Sequence, residues 1–302
     1  MLFMLSLDFW MKAQSSIPKV SSGKIERIEN FKSSYVTSRN IEVWLPENYS
    51  QKEKFAVLYM HDGQMLFDSS ITWNKQSWEM DVTGGKLHSK NKSKKFILVG
   101  ISNDGKNRHQ EYFPQKPFEM MSKSEQDTIN AQLRSVGRTD GNFYPQSDAY
   151  LKFIVEELKP FIESKYSVFT NKENTFMAGS SMGGLISLYA ICEYPEVFGG
   201  TACLSTHWPG TFTLSNNPFP EAMKNYLELH LPDPNTHKIY FDCGDQTLDA
   251  LYPKAQKVID VLIRKKGFNK RNSMSKYFSG EDHSERAWAK RVEIPLKFLM
   301  KK

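Results

Sequence analysis

Short apolar runs alternate along the chain with stretches of helical periodicity. Residues 41–45 stop at Pro46, and residues 55–60 (FAVLYM) stop at the turn-prone pair Asp62-Gly63, so both predict strands. Residues 96–101 (FILVGI) repeat the pattern, and residues 148–166 then place Leu151, Ile154, Val155, Leu158 and Ile162 at helical spacing. Further strands are predicted at 175–178, 201–204 and 238–243 (KIYFDC), with a helical pattern at 185–191 and a polar helical stretch before Lys238. Residues 255–266 carry Val258, Ile259, Leu262 and Ile263 on one face ahead of Gly267, and a last weak strand is predicted at 273–278. Six or seven strands separated by helices predict an α/β chain with a mostly parallel sheet covered on both faces.

Residues 103–142 break this alternation. They contain Pro114, Pro117, the pair Met120-Met121 and many polar residues, and a structureless connection of that length is uncommon in a compact domain. The stretch reads either as a lid or substrate-binding excursion at the end of the 96–101 strand, or as a mobile surface loop.

Composition narrows the function classes. The chain has 302 residues, 39% hydrophobic and 25% charged, which are globular proportions. No apolar run reaches the roughly 20 residues needed to span a bilayer, because the greasy start is interrupted by Asp8. The net charge of +6 comes from Lys and Arg residues spread along the whole chain, which argues against nucleic-acid binding. Cys192, Cys203 and Cys243 lack the paired spacings of a zinc or redox site and read as small core residues. Residues 1–24 form a leader. Its start (MLFMLSLDFWMKA) has the apolar character of a signal peptide but no basic beginning, and Met11 stands where a small residue should precede a cut after Ala13. It reads equally as a damaged export signal or as an amphipathic leader, and residues 25–302 are expected to form one domain.

The chemistry centres on Gly179-Ser180-Ser181-Met182-Gly183, a G-x-S-x-G sequence between a predicted strand and a predicted helix. Such an elbow projects its serine alone, and glycines at 179 and 183 are expected because side chains there would clash. A serine hydroxyl needs an imidazole to take its proton and a carboxylate to orient that imidazole. In this fold the chain order is serine, acid, histidine. His237 precedes its strand at the wrong end, whereas His283 follows the last strand in the loop Gly280–Arg286. The acid belongs after the 238–243 strand, where Asp245 and Asp249 are both in range; Asp249, farther along the loop, is the favoured choice. The main-chain N–H groups of Met182 and Gln64 are the expected oxyanion donors.

With these residues in view, the chain resembles the esterase family that includes esterase D, bacterial feruloyl esterases and the enterobactin-type siderophore esterases. The likeness runs from about residue 41 to 299. It is most specific in YMHDGQMLFD (59–68), GISNDGKNRHQEY (100–112), AGSSMGGLISLYA (178–190), TLDALY (247–252) and HSERAW (283–288). The resemblance implies an α/β-hydrolase fold with the insertion after its fourth strand, a serine triad, and neither metal nor cofactor. Relatives usually carry Gly-Thr-Glu before Thr-Leu-Asp where this chain has Gly-Asp-Gln, which keeps Asp249 and makes Asp245 the less family-like acid.

The relatives cleave acyl groups from sugars, aromatic acids from wall polymers, or siderophore esters. Trp73, Trp78, Tyr112, Phe113, Trp208 and Trp288 are candidates to stack on a sugar or phenolic ring, and equally candidates for core. Arg108 is expected either to brace the insertion by pairing with Glu111 or to contact an anionic substrate. The expectation is therefore an exported serine esterase acting on an acylated or feruloylated carbohydrate, with Trp78, Arg108, Trp208 and Trp288 as substrate contacts. A siderophore esterase, a sugar acyltransferase and a non-catalytic binding module on the same fold are the alternatives, and the oligomeric state is left open.

Overall fold

Residues 16–302 are described by a computed structural model, and the apolar leader core of residues 1–13 lies outside them. Eight strands, β1 (Lys24–Phe31), β2 (Arg39–Leu45), β3 (Ala56–His61), β4 (Phe96–Ile101), β5 (Thr175–Ser180), β6 (Gly200–Leu204), β7 (Lys238–Cys243) and β8 (Ser273–Tyr277), form one sheet in the order β1-β2-β4-β3-β5-β6-β7-β8. The apolar runs become the central strands: every residue of β3, β4, β5 and β6 is buried, as expected for strands covered on both faces. From β4 to β8 all neighbours run parallel, while β1 and β2 add an antiparallel edge.

β1 was not foreseen. Its sequence KIERIENF is half charged and has no fully buried residue, so it has the polarity of an edge strand and no apolar run to announce it. The stretch just before it, read from sequence as leader, is tied to the body: the Lys19 N–H donates to Asp68 and the Ser21 N–H to Asp81.

The insertion is ordered, contrary to the structureless reading. It forms helices Arg108–Tyr112, Gln115–Glu119 and Lys123–Ser135, the last started by a capping box between Ser122 and Glu125. These helices bury Phe113, Phe118, Ile129 and Leu133 in the main core, where Phe113 meets Phe219 at 4.3 Å between ring centroids. The helix predicted over 148–166 is present as Ser147–Lys152 and Lys159–Lys165 with a π-helical stretch, Phe153–Leu158, between them. Helix Met182–Glu193 is buried on all sides at the centre of the molecule. Among the described residues no helix is long and apolar enough to cross a membrane.

Parallel connectivity brings the carboxyl ends of β3, β5, β6 and β7 to one edge of the sheet. Loops at that edge are where an open α/β sheet builds its site.

Candidate active site

Ser181 links β5 to the central helix with φ 58° and ψ −124°, a conformation that costs a non-glycine residue on the order of 1–3 kcal/mol. The surroundings hold it there: its N–H donates to Leu204 O, and its carbonyl accepts from the N–H groups of Gly184 and His207. A Cβ on Gly179 would come within 2.7 Å of the Gly183 carbonyl oxygen, so glycine is required there. At Gly183 the nearest atom is 3.4 Å from such a Cβ. The clash expected at both glycines therefore exists only at 179.

The loop after β7 curls through Thr247–Leu251 and buries Asp249 completely. Asp249 Oδ1 meets His283 Nδ1 at 2.6 Å, and Oδ2 accepts from the Ser205 hydroxyl at 2.6 Å and from the Gly244 N–H at 2.6 Å. Ser205 fixes the direction of this network. Its oxygen receives the Trp288 indole N–H and an Arg291 N–H, each at 2.9 Å, and neither group can accept, so the hydroxyl proton goes to Asp249. Burial pushes the Asp249 pKa up, but the His283 hydrogen bond and charge, with those of Ser205 and Gly244, outweigh it and hold the carboxyl below its ordinary value. An ionised acceptor at Oδ1 makes His283 Nδ1 the donor and leaves Nε2 with its lone pair. Arg291 also pairs with buried Asp242 at 3.0 Å.

Asp245 sits elsewhere. It is half-buried and accepts from Tyr277, Ser279 and the Gly280 N–H, and its hydrogen bonds, that of Gln246 foremost, bring its pKa down to about 2. It clasps the β7 and β8 loops together. His237 is buried with Nε2 against the Pro195 carbonyl.

Gln64 lies in the single 3-10 turn Gly63–Met65 that follows β3. Neither the Gln64 nor the Met182 N–H has a main-chain acceptor among the described residues, as expected for donors at the start of a helical turn. Gly63 is needed for close approach: a Cβ there would lie 2.6 Å from the Gly100 carbonyl carbon. Preceding it, Asp62 has φ 57° and is clamped by Arg108, Nε to Oδ1 and Nη2 to Oδ2, both at 2.7 Å, and by Asn103 at 2.6 Å. The expected Arg108–Glu111 pair does not form. Glu111 instead takes a buried two-point contact from Arg39, at 2.6 and 2.8 Å.

Ser181, His283, Gln64, Met182, Arg108, Trp78 and Trp288 all line one cleft of about 1030 Å³. Trp78 and Trp288 stack with ring centroids 5.1 Å apart, and Trp288 meets His283 edge-on at 5.0 Å. Trp208 is not part of the cleft. It is buried against Phe241 with its indole N–H on Gln256 Oε1 at 3.0 Å, which makes it core and corrects its assignment as a substrate contact. Tyr112 and Phe113 are fully buried as well.

Three neighbours of the site escaped sequence reasoning. Ser205 and Arg291 lie in segments with no motif, and Tyr252, the last residue of TLDALY, carries a hydroxyl that bonds His207 Nδ1 at 2.8 Å and reaches the Ser181 hydroxyl. Among the described residues no cluster of three or more His, Cys, Asp or Glu side chains is arranged to hold a metal ion.

An eight-stranded, mostly parallel sheet with a strained serine between strand and buried helix defines an α/β hydrolase. The chain belongs to the esterase family described as "Putative esterase", whose model matches residues 33–293, and it is a carboxylic ester hydrolase. It is 23% identical over 269 residues to the uncharacterized protein YbbA of Bacillus subtilis, covering 87% of this chain and 92% of that one. It is 25% identical over 242 residues to the endo-1,4-beta-xylanase/feruloyl esterase of Xylanibacter ruminicola, matching 75% of this chain but only 25% of that longer protein. In fold it is similar to the enterobactin esterase FES of Shigella flexneri, with a TM-score of 0.67 at 16% identity over 93% of this chain and 60% of that one.

Proposed function

We propose that the protein is a serine esterase that cleaves acyl or feruloyl esters of carbohydrate through an acyl-Ser181 intermediate. The observation that carries this reading is the 2.6 Å contact between Asp249 and His283 Nδ1, within a network whose donors leave Asp249 only as acceptor. His283 Nε2 is then free to take the Ser181 proton as Oγ attacks the ester carbonyl. The resulting oxyanion is received by the N–H groups of Met182 and Gln64. Collapse expels the alcohol, which takes the proton from His283; a water, deprotonated by the same nitrogen, then attacks the acyl-enzyme and releases the acid.

Charge in the cleft supports a neutral substrate. Asp62, Asp140 and Glu285 balance Lys106, Arg108 and Arg138 along its lining, and the guanidinium of Arg108 is already committed to Asp62. A multiply anionic ferric catecholate has no excess of cations to meet there. The similarity to a xylanase/feruloyl esterase adds weight to an ester of plant-wall carbohydrate. Assays with acetylated xylan, methyl ferulate and a ferric catecholate triester test the reading: turnover of either of the first two is expected, and fast turnover of the catecholate alone would overturn the carbohydrate assignment.

A further inference from the structure

Trp73 is 84% exposed and lines the rim of the same cleft. An indole left in water at the edge of a site stands apart from scattered surface apolar residues when its backbone is fixed in place, and here it is. Buried Thr72 on one side bonds the Ser69 carbonyl at 3.1 Å, and Lys75 on the other holds φ 57° with its ammonium on the Ser70 carbonyl at 2.8 Å. The loop is also fastened to the segment that follows His283. Asn74 Nδ2 donates to Glu285 Oε2 at 2.8 Å, and the Arg286 N–H donates to Gln76 Oε1 at 3.2 Å.

The lining of the same cleft offers neutral amides. Among the described residues Gln76 keeps its Nε2 donors unused and the Gln110 side chain makes no hydrogen bond. A flat apolar face next to uncharged donors and acceptors suits a ring with an apolar face and a hydroxylated edge, which is a pyranose. The balanced charge of the lining matches a neutral ligand.

We infer that Trp73, with Gln76 and Gln110, forms an outer subsite that stacks a pyranose ring of the alcohol portion of a glycan ester. This rests on the carbohydrate reading of the substrate and adds where the sugar chain lies. The test uses the Ser181→Ala protein, which binds without turnover, titrated calorimetrically with unesterified xylotetraose, cellotetraose and maltotetraose. At least one is expected to bind, with affinity falling about tenfold on adding Trp73→Ala and largely restored by Trp73→Phe. With active protein, Trp73→Ala is expected to lower the ratio of kcat/KM for an acetylated xylo-oligosaccharide to that for 4-nitrophenyl acetate by a similar factor. No binding of any tetrasaccharide, or equal binding with and without Trp73, would overturn the subsite. So would a dimer of the wild type that Trp73→Ala abolishes, since a second copy would then own the indole. Loss of all ester turnover in the wild type would instead contradict the esterase reading, a result the binding arm does not produce.

Discussion

Arg108 grips Asp62 through two parallel hydrogen bonds of 2.7 Å, and this ion pair, with Asn103 and the Tyr112 hydroxyl beside it, ties the helical insertion to the turn that carries the Gln64 amide. Burial alone would raise the Asp62 pKa, yet the neighbouring guanidinium holds it below its ordinary value. Arg108→Met leaves that carboxylate without its cation and loosens the Gln64 turn, which then rests on Asn103 and Tyr112. We expect kcat to fall about a hundredfold, as for a donor misplaced by about an ångström, with a smaller effect on KM. Lys at 108 should not restore it, because an ammonium cannot grip both oxygens. Steady-state kinetics of the two variants check this.

Ser205 is the junction through which Trp288 and Arg291 reach Asp249. Ser205→Ala removes one donor to the acid and strands two buried N–H groups. A loss of about 2 kcal/mol in stability is expected, measured by urea denaturation, together with a fall in kcat.

The two acids of the β7 loop have different neighbours, and their substitutions should differ accordingly. Asp249→Asn removes the acceptor that makes His283 Nδ1 a donor and is expected to lower kcat by about 10⁴-fold. Asp245→Asn loosens a loop clasp and should change turnover by less than about tenfold. Measuring kcat for both, with circular dichroism to establish folding, decides the assignment.

Acid should destabilise the fold through its buried histidines. Burial brings His61, His109 and His207 down to about 3, against 6.5 in the unfolded chain. Between those values the unfolded state binds more protons, so stability is full above about pH 6.5 and is lost as pH falls toward 3. At pH 5 each histidine contributes a loss of about 2 kcal/mol. Denaturation at pH 7.5 and pH 5 should show this difference, and His109→Gln should reduce it.

Legibility in the sequence followed burial. The 96–101 and 238–243 strands were readable to the residue because both faces are covered and the runs are continuous, whereas β1, polar and at the edge, left no such run. Ser181, Asp249 and His283 could be proposed from chain order and from the loops they follow. Trp208 could not be separated from the true cleft tryptophans, because an indole in core and an indole in a cleft have the same sequence signature. Arg108, Glu111 and Arg39 show the same limit for charge: a helix neighbour was the obvious partner, and the fold supplied nearer ones from distant strands and turns. Long-range pairs such as Ser205 with Arg291 depend on how β6 and the C-terminal helices meet, which no local pattern encodes.

An activated Ser181 would react with an electrophile that leaves ordinary serines untouched. Labelling with a fluorophosphonate, followed by peptide mass spectrometry, tests this activation most directly. One modified residue, Ser181, is expected in the wild type, with no labelling of Ser181→Ala and strongly slowed labelling of His283→Ala. A folded wild-type protein that remains unlabelled, or that is labelled at another residue, would contradict it.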